Sequence, residues 1–226
     1  MKLLKDKTAI VTGGAGGIGA ACARRFAEEG ASFILIADLN IEEGQARADE
    51  ITKEFGTRCI AVKTNVVNEE EISKVFTEFK KYQENLDILL NCAGIGRIID
   101  MQDITTQSWD LTMNVNLRAA FLFSREALKM MKGRKYGRII NMASQAGKSG
   151  GLTIGIDYAA SKGGLLNLTK SLAKAAAEYN ITVNSVAPGL IATDMTTEFG
   201  YDPQTVPLQR IGTPEEVADA TLFAAS

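Results

Sequence analysis

Short apolar runs alternate with longer amphipathic stretches along the chain. The apolar runs are rich in Ile, Leu and Val, and they have the length of strands buried on both faces. They predict six strands, at residues 8–11, 32–36, 58–62, 86–90, 138–141 and 181–185. In the stretches between them, apolar residues recur at helical spacing. These stretches predict six helices, over residues 18–29, 41–55, 69–82, 108–131, 158–179 and 214–225.

The regular alternation of strand and helix predicts the fold class. Successive βαβ units with right-handed crossovers build a mostly parallel sheet with helices on both faces. We therefore expect an α/β protein with one doubly wound Rossmann domain over residues 1–226, because no linker, repeat or low-complexity segment divides the chain. Such a sheet usually ends on a strand, whereas the last predicted helix finishes at Ser226. A final strand is therefore expected to be absent from this chain, which would make the sequence incomplete at its end.

Composition excludes several classes of function. The chain contains no histidine, which rules out a Ser-His-Asp triad and imidazole-based zinc sites. Its three cysteines, Cys22, Cys59 and Cys92, are too far apart for a C-x-x-C clip, so we expect no metal. No run of eighteen apolar residues occurs, and a net charge of −2 gives no general attraction to nucleic acid. We expect a soluble, cytoplasmic protein without membrane or nucleic-acid partners.

A glycine-rich turn follows the first predicted strand and opens the first predicted helix. In residues 12–19, Gly14, Gly16 and Gly19 fit the dinucleotide fingerprint G-x-G-x-x-G. Glycines let a pyrophosphate approach the main chain while the helix N-terminus faces the phosphates. A flexible turn is the alternative, but five glycines within seven residues would weaken a purely structural turn. The segment therefore predicts a dinucleotide site.

Asp38 ends the second predicted strand, nineteen residues after Gly19. A carboxylate at this place can accept hydrogen bonds from both hydroxyls of an adenosine ribose, and it would repel a 2′-phosphate. Gly16 leaves no basic side chain in the glycine loop to attract such a phosphate. Asp38 could instead cap the following helix, although Asn40 is the nearer capping candidate. The pattern favours NAD as the cofactor.

Tyr158 and Lys162 are one helical turn apart in a protein without histidine. On a helix both side chains project from one face, so the lysine charge could lower the pKa of the phenol toward the range of a general base. The alternative is an ordinary surface pair, which a Tyr and a Lys at this spacing form more often when taken alone.

Together these motifs resemble the short-chain dehydrogenase/reductase family, and the resemblance covers nearly the whole chain. The family pattern T-G-x-x-x-G-x-G is matched by Thr12, Gly13, Gly17 and Gly19, and Y-x-x-x-K is matched by the pair at 158 and 162. The N-N-A-G motif is present as residues 91–94 with one departure, a cysteine at position 92. We expect this change to be tolerated if the amide of the first asparagine still ties neighbouring strands together.

The resemblance implies a catalytic tetrad of Asn116, Ser144, Tyr158 and Lys162. Asn114 competes with Asn116, which is preferred because it directly precedes the Leu-Arg-Ala-Ala-Phe run. Fourteen positions separate Ser144 from Tyr158, about one more than the family interval, and a glycine-rich loop is expected to absorb the extra residue. Ser149 is the weaker alternative for the serine.

The same resemblance implies hydride transfer between NAD and a secondary alcohol or ketone. Tyr158 would act as the general acid/base, and Ser144 would hydrogen-bond the substrate oxygen. Lys162 would hold the nicotinamide ribose, and Asn116 would support a water that relays protons. The implied cofactor contacts are Gly13, Gly17, Ile18, Gly19, Asp38, Leu39, Asn65, Val66, Asn91, Ala93, Gly94, Tyr158, Lys162, Pro188, Gly189, Ile191 and Thr193.

Substrate identity stays open at the level of sequence. Residues 95–105, 145–157 and 190–212 are expected to line the pocket, and residues 207–218 resemble 3-oxoacyl-[acyl-carrier-protein] reductases. An acyl-carrier protein is therefore a possible partner, which a basic cluster could receive. The cluster consists of Lys129, Lys132, Arg134, Lys135 and Arg138.

Two further expectations concern the class of protein and its assembly. A non-catalytic NAD-sensing protein is the alternative of another class, which the complete tetrad disfavours. The resemblance also implies a homotetramer or homodimer that packs through the two longest predicted helices.

Overall fold

The computed structural model of the protein describes residues 2–151, 154–197 and 200–226. Six strands lie within these ranges: β1 (Thr8–Thr12), β2 (Phe33–Asp38), β3 (Arg58–Lys63), β4 (Ile88–Asn91), β5 (Gly137–Met142) and β6 (Ile181–Val186). They form one sheet in the order β3-β2-β1-β4-β5-β6, and each neighbouring pair is parallel. The predicted doubly wound α/β fold is confirmed.

Helices connect the strands and follow the last of them. Their bounds are α1 (Gly17–Glu28), α2 (Ile41–Phe55), α3 (Glu69–Lys80), α4 (Thr106–Met113), α5 (Ala119–Met131), α6 (Ala146–Ser149), α7 (Ile156–Ala176), α8 (Asp194–Thr197) and α9 (Pro214–Ala225). A π-helical segment, Asn114–Arg118, joins α4 to α5. The stretch expected to be one helix over residues 108–131 therefore contains a widened turn. No helix of the described ranges is both long enough and apolar enough to cross a bilayer.

Polar capping residues set the ends of two helices where the sequence predicts them. The side chain of Asn40 accepts a hydrogen bond from the Glu43 backbone N–H at the start of α2. Gly56 ends the same helix with a φ of 71°, in the left-handed region that glycine adopts readily. At α9, Thr213 and Glu216 form a capping box.

Alternate residues of each central strand enter two hydrophobic cores, one on each face of the sheet. Ala9 and Val11 of β1 pack with α1, α2 and α9, whereas Ile10 packs with α3, α5 and α7. Burial on both faces explains why the central strands are continuous apolar runs.

The strand order reverses between β1 and β4, which are neighbours in the sheet although β2 and β3 separate them in the chain. In open α/β sheets a ligand crevice lies outside the carboxyl ends of the strands at such a switch point. We call this side of the sheet, where the strands end, the carboxyl edge, and the side where they begin the amino edge.

Candidate active site

A cavity of about 470 Å³ opens at the carboxyl edge, above the switch point. Most residues that the family resemblance implies as cofactor contacts lie on its walls. They are Gly13, Gly17, Ile18, Gly19, Asp38, Leu39, Asn65, Val66, Ala93, Gly94, Tyr158, Lys162, Pro188, Gly189, Ile191 and Thr193. The structure thus brings residues from the two halves of the sheet around one space.

The glycine loop forms the floor of this cavity, and two of its positions exclude any side chain. Gly13 has a φ of 67°, and a Cβ there would lie 2.8 Å from the Ala93 backbone. A Cβ on Gly19 would lie 2.0 Å from the carbonyl oxygen of Gly13. The loop is therefore folded tightly against the segment after β4, and the N-terminus of α1 faces the cavity, which fits a pyrophosphate group.

Asp38 ends β2 at the rim of the cavity. Its carboxylate accepts hydrogen bonds from the backbone N–H groups of Ala15 and Asn40, each at 3.0 Å. The helix cap is supplied by Asn40, so Asp38 is not needed for that task. A Cβ added to Gly16 would meet nothing within 4 Å, so the loop beside this carboxylate is open.

Ser144 and Tyr158 both line the cavity. Ser144 follows β5, Tyr158 lies in the first turn of α7, and the serine side chain is near enough to affect the pKa of the tyrosine. The alternative serine, Ser149, is exposed and donates to the Gln145 carbonyl instead. Gly150 and Gly151, in the loop before α7, both have positive φ values. Glycine adopts such values readily, so these positions let the loop accommodate the extra residue between Ser144 and Tyr158.

Lys162 lies one turn further along α7 and is almost completely buried. Its ammonium donates to the Met142 carbonyl at 2.7 Å and lies 5.6 Å from the centroid of the Tyr158 ring. Burial disfavours the charged amine and lowers the pKa of Lys162 to about 8.

The expected lowering of the tyrosine pKa is not what the structure shows. Burial raises the pKa of Tyr158, and the Ser144 side chain beside it acts in the opposite direction. Desolvation of the phenolate therefore dominates, and Tyr158 carries its proton at neutral pH. This state suits a group that donates a proton.

Asn116 lies on the π-helical turn and is buried behind the cavity. Its amide exchanges two 2.8 Å hydrogen bonds with the backbone of Ile95 and donates to the Ser161 hydroxyl at 3.0 Å. A Cβ on Gly94 would lie 3.4 Å from the Asn116 carbonyl oxygen and 3.3 Å from the Lys162 ammonium. Asn116 thus reaches the lysine side of the site, whereas Asn114 is not part of this arrangement.

The residues of the N-C-A-G segment divide between the sheet and the cavity. The buried amide of Asn91 donates to Asn141 at 2.8 Å and so links β4 to β5, as expected. Asn91 lies beneath the cavity rather than on its wall, so its support for a cofactor would be indirect. Cys92 lines the cavity, and burial raises the pKa of its thiol to about 12, which keeps it un-ionised.

A second cavity, of about 590 Å³, shares Ser144 and Tyr158 with the first. Apart from Pro188 and Gly189, its other walls come from the three segments predicted to bind substrate, among them Ile98, Leu190 and Tyr201. Residues 152–153 and 198–199 of those segments lie outside the described residues. The Tyr158 hydroxyl therefore stands between a space suited to a dinucleotide and a second space.

Sequence reasoning missed several residues on the walls of the first cavity. Thr64 follows β3, Val115 lies on the π-helical turn, and α8 contributes three successive side chains. None of these belongs to a motif with a spacing of its own. Only the α8 residues could have been found from the sequence, because they directly follow Thr193, which the family resemblance implies as a cofactor contact. Its residues are Asp194, Met195 and Thr196.

The basic cluster of the sequence lies at the opposite edge of the sheet. It spans the end of α5 and the start of β5, where Lys7 and Arg138 flank the Tyr136 ring. β5 runs six residues from this point to Met142 on the cavity wall, a distance of about 17 Å. The length of β5 therefore separates the cluster from Tyr158.

Comparisons with known proteins agree with this geometry. The sequence profile described as short chain dehydrogenase matches residues 7–204. The chain is 38% identical to the 3-oxoacyl-[acyl-carrier-protein] reductase of Aquifex aeolicus, over 99% of this chain and 91% of that protein. It is 36% identical to an NAD-dependent glycerol dehydrogenase of Listeria innocua, over 99% of this chain and 88% of that protein.

A solved structure shares the fold along the whole chain. It is a protein from Beutenbergia cavernae provisionally assigned as an NAD(P)-dependent gluconate 5-dehydrogenase, with NADP bound at low occupancy. The TM-score is 0.92 at 31% identity, and the match covers all of this chain and 92% of the other.

Proposed function

Because the chain belongs to the short-chain dehydrogenase family and is an oxidoreductase that acts on CH–OH groups with a nicotinamide cofactor, we propose that it interconverts a secondary alcohol and a ketone with NAD. The observation that carries this proposal is the position of Ser144 and Tyr158, which line both the dinucleotide-sized cavity and the second cavity. A proton donor so placed serves a carbon that gains or loses a hydride.

Each member of the proposed tetrad has a task that its contacts support. A bound nicotinamide would supply the hydride donor or acceptor. Tyr158 moves the proton to or from the substrate oxygen, and Ser144 hydrogen-bonds the same oxygen as its charge develops. Lys162, whose buried ammonium lies on the cavity wall, would hold the sugar of the cofactor. Asn116, on the lysine side of the site, would support the proton path.

The preference for NAD over NADP is proposed from the rim of the first cavity. Asp38 places a carboxylate where the adenosine ribose would lie, and Gly16 offers no cation beside it. A 2′-phosphate would meet repulsion without compensation. The structure from Beutenbergia cavernae holds NADP at low occupancy, so the preference for NAD is proposed from Asp38 and Gly16 of this chain and not from that neighbour.

Substitution of Asp38 tests this preference. In Asp38→Asn the side chain keeps an oxygen for the Ala15 N–H but loses its charge. We expect the ratio of kcat/KM for NAD over NADP to fall about tenfold or more, since tenfold corresponds to about 1.4 kcal/mol. Asp49→Asn, on the exposed face of α2, is the control that removes one carboxylate elsewhere. An unchanged ratio in Asp38→Asn, or an equal fall in both variants, would refute the role of Asp38.

Reduction of a 3-oxoacyl group on an acyl-carrier protein is the second candidate function. The similarity to the Aquifex aeolicus reductase favours it. The proton held by Tyr158 also suits a reductase, because a forming alkoxide needs a donor. Acetoacetyl thioesters with NADH and NADPH, assayed beside secondary alcohols with NAD, distinguish the two functions. A kcat/KM for the thioester a hundredfold above that for every alcohol would establish the second candidate.

For the assembly, we propose a homotetramer or homodimer that works in the cytoplasm. Phe121 on α5 and Leu111 on α4 expose large apolar side chains on the helices that the family resemblance implies in subunit contacts. By contrast, Leu165 on α7, the other helix implied in subunit contacts, is buried in the interior. The three cysteines are free, which suits a reducing compartment. Light scattering measures the assembly, and a monomer would contradict it.

A further inference from the structure

The backbone segment at residues 95–97, just after the N-C-A-G motif, packs against the ring of Tyr158. A Cβ added to Gly96 would lie 2.8 Å from Cδ2 of that ring, so the segment touches the ring with nothing between them. At its inner end, the Ile95 N–H donates to Oδ1 of Asn116, and the Ile95 carbonyl accepts from Nδ2 of the same amide. The orientation of the Tyr158 ring therefore depends on where this segment lies.

The outer end of the segment is held by Arg97. The Arg97 guanidinium donates to Oδ2 of Asp157 at 2.9 Å, and the Arg97 carbonyl accepts from the Gly155 N–H at 2.9 Å. Both partners lie at the beginning of α7, next to Tyr158 in the chain. Side chain and main chain of Arg97 thus fasten the segment to the helix that carries the tyrosine.

Asp157 connects three elements through one carboxylate that is only 1% exposed. Besides Arg97, its Oδ2 accepts from the Thr112 hydroxyl of α4 at 2.7 Å, and its Oδ1 accepts from the Tyr158 N–H at 2.9 Å. That N–H is one of the free donors in the first turn of α7, where a negative charge also complements the helix dipole. A buried carboxylate with all these partners is rigidly held.

We propose that Arg97 and Asp157 are positioning residues that fix the ring of Tyr158 through the 95–97 segment and the first turn of α7. The inference rests on the proposed function, because it assigns to the pair a task in the same proton transfer. Neither side chain needs to touch the substrate. A displacement of about 1 Å at a reacting group lowers a rate by up to roughly 10²-fold, so loss of the pair should act on kcat.

A second ion pair in the same protein provides a matched control. Arg134 donates to Asp87 at 2.8 Å, both arginine side chains are 34% exposed, and Asp87 is nearly as buried as Asp157. Asp87 also accepts from the backbone N–H and from the side-chain hydroxyl of Thr8. This pair lies at the amino edge, away from both cavities. The Arg134–Asp87 pair therefore matches the Arg97–Asp157 pair in charge and burial but lies away from Tyr158.

The first experiment compares the double variants R97M/D157N and R134M/D87N, which remove both charges and leave none buried alone. Asparagine at 157 still offers an oxygen to the Tyr158 N–H. We expect kcat to fall about 10–100-fold in R97M/D157N and less than about twofold in R134M/D87N, with the Kd for NADH changing less than about threefold in both. Arg97→Lys, which keeps the charge and will fold most readily, should show an intermediate kcat. Equal kcat values in the two double variants would overturn the proposal.

The second experiment does not depend on turnover. The chain has five tyrosines, and ring-labelled tyrosine gives an NMR signal for Tyr158 that the Tyr158→Phe variant assigns. We expect R97M/D157N to shift or broaden this signal, while R134M/D87N moves the signal of Tyr136, whose ring lies 5.8 Å from Arg134. An unmoved Tyr158 signal would overturn the proposal. If the ring responds but the wild type turns over no substrate, the positioning stands and the proposed function fails.

Discussion

Two buried carboxylates, Asp157 and Asp87, are held in nearly the same way at opposite edges of the sheet. Each accepts from an arginine, a threonine hydroxyl and a backbone N–H. Asp87 joins the beginnings of β1 and β4 and lies far from the cavities, so its expected contribution is to stability. Asp157 joins the first turn of α7 to the segment that touches the Tyr158 ring. The same interaction therefore supports folding in one place and chemistry in the other.

The difference shows that position in the topology decides what an interaction can do. Parallel strands bring their carboxyl ends together, and helices begin there, so loops and helix N-termini meet at one edge. The amino edge collects the helix C-termini instead. Its basic side chains surround Tyr136 and Tyr179 through cation–π contacts, which suits a stable, solvated surface.

The largest expected effect separates one tyrosine at each edge. Tyr158→Phe should lower turnover on the order of 10³-fold, because a general acid/base contributes about 10²–10⁴-fold, and it should leave NADH binding nearly intact. Tyr136→Phe keeps the ring among its cations and should leave turnover unchanged. Absorbance at 340 nm measures the turnover, and fluorescence titration measures NADH binding. Normal turnover by Tyr158→Phe would remove the tyrosine from the mechanism.

A second effect concerns the buried ammonium at the carboxyl edge. The pKa of Lys162 falls from 10.5 to about 8, so the unfolded chain binds more protons than the folded protein between these values. Stability of the wild type should therefore rise with pH across this window, relative to a variant that cannot titrate there. The unfolding free energy of the wild type minus that of Lys162→Met should therefore increase by up to about 3 kcal/mol as the pH rises across this window.

Urea unfolding of both proteins between pH 6 and pH 10.5 measures this change, and below about pH 7 the difference should be constant. A difference for Lys162→Met that does not vary with pH, or varies in the opposite sense, would show that the ammonium is not destabilised by burial.

The smallest expected effect tests the basic cluster. Reversing two exposed charges in K132E/K135E should change kcat/KM by less than about twofold, for a small alcohol and for a carrier-bound substrate alike. The reason is the distance of about 17 Å between the cluster and the cavity wall, which exceeds the Debye length of about 8 Å at physiological salt. A selective loss with the carrier-bound substrate would mean that the cluster does receive a carrier protein.

The sequence predicts best those elements whose ends carry their own chemistry. The predicted bounds of α2 and α9 coincide with the structure, because Asn40, Gly56 and Pro214 mark them by capping. The π-helical turn at Asn116 was not predicted, since one extra residue in a turn leaves no mark on helical periodicity.

Within the site, the residues of spaced motifs could be predicted and those joined only by folding could not. The glycine loop and the Tyr158–Lys162 pair are short patterns. By contrast, residues 97, 112 and 157 form one cluster although no spacing relates them. The predicted direction of the Tyr158 pKa shift was wrong. Spacing along a helix indicates a neighbouring charge, but it does not indicate how far burial desolvates the phenol.

The most direct test of the central claim is absorbance at 340 nm when the wild-type protein is mixed with secondary alcohols and either NAD⁺ or NADP⁺. We predict that NADH forms from at least one alcohol, with a kcat/KM for NAD⁺ at least about tenfold above that for NADP⁺. Tight NADH binding without any turnover across alcohols and ketones would contradict it and favour a non-catalytic NAD-sensing protein. Faster turnover with NADP⁺ would contradict the role given to Asp38.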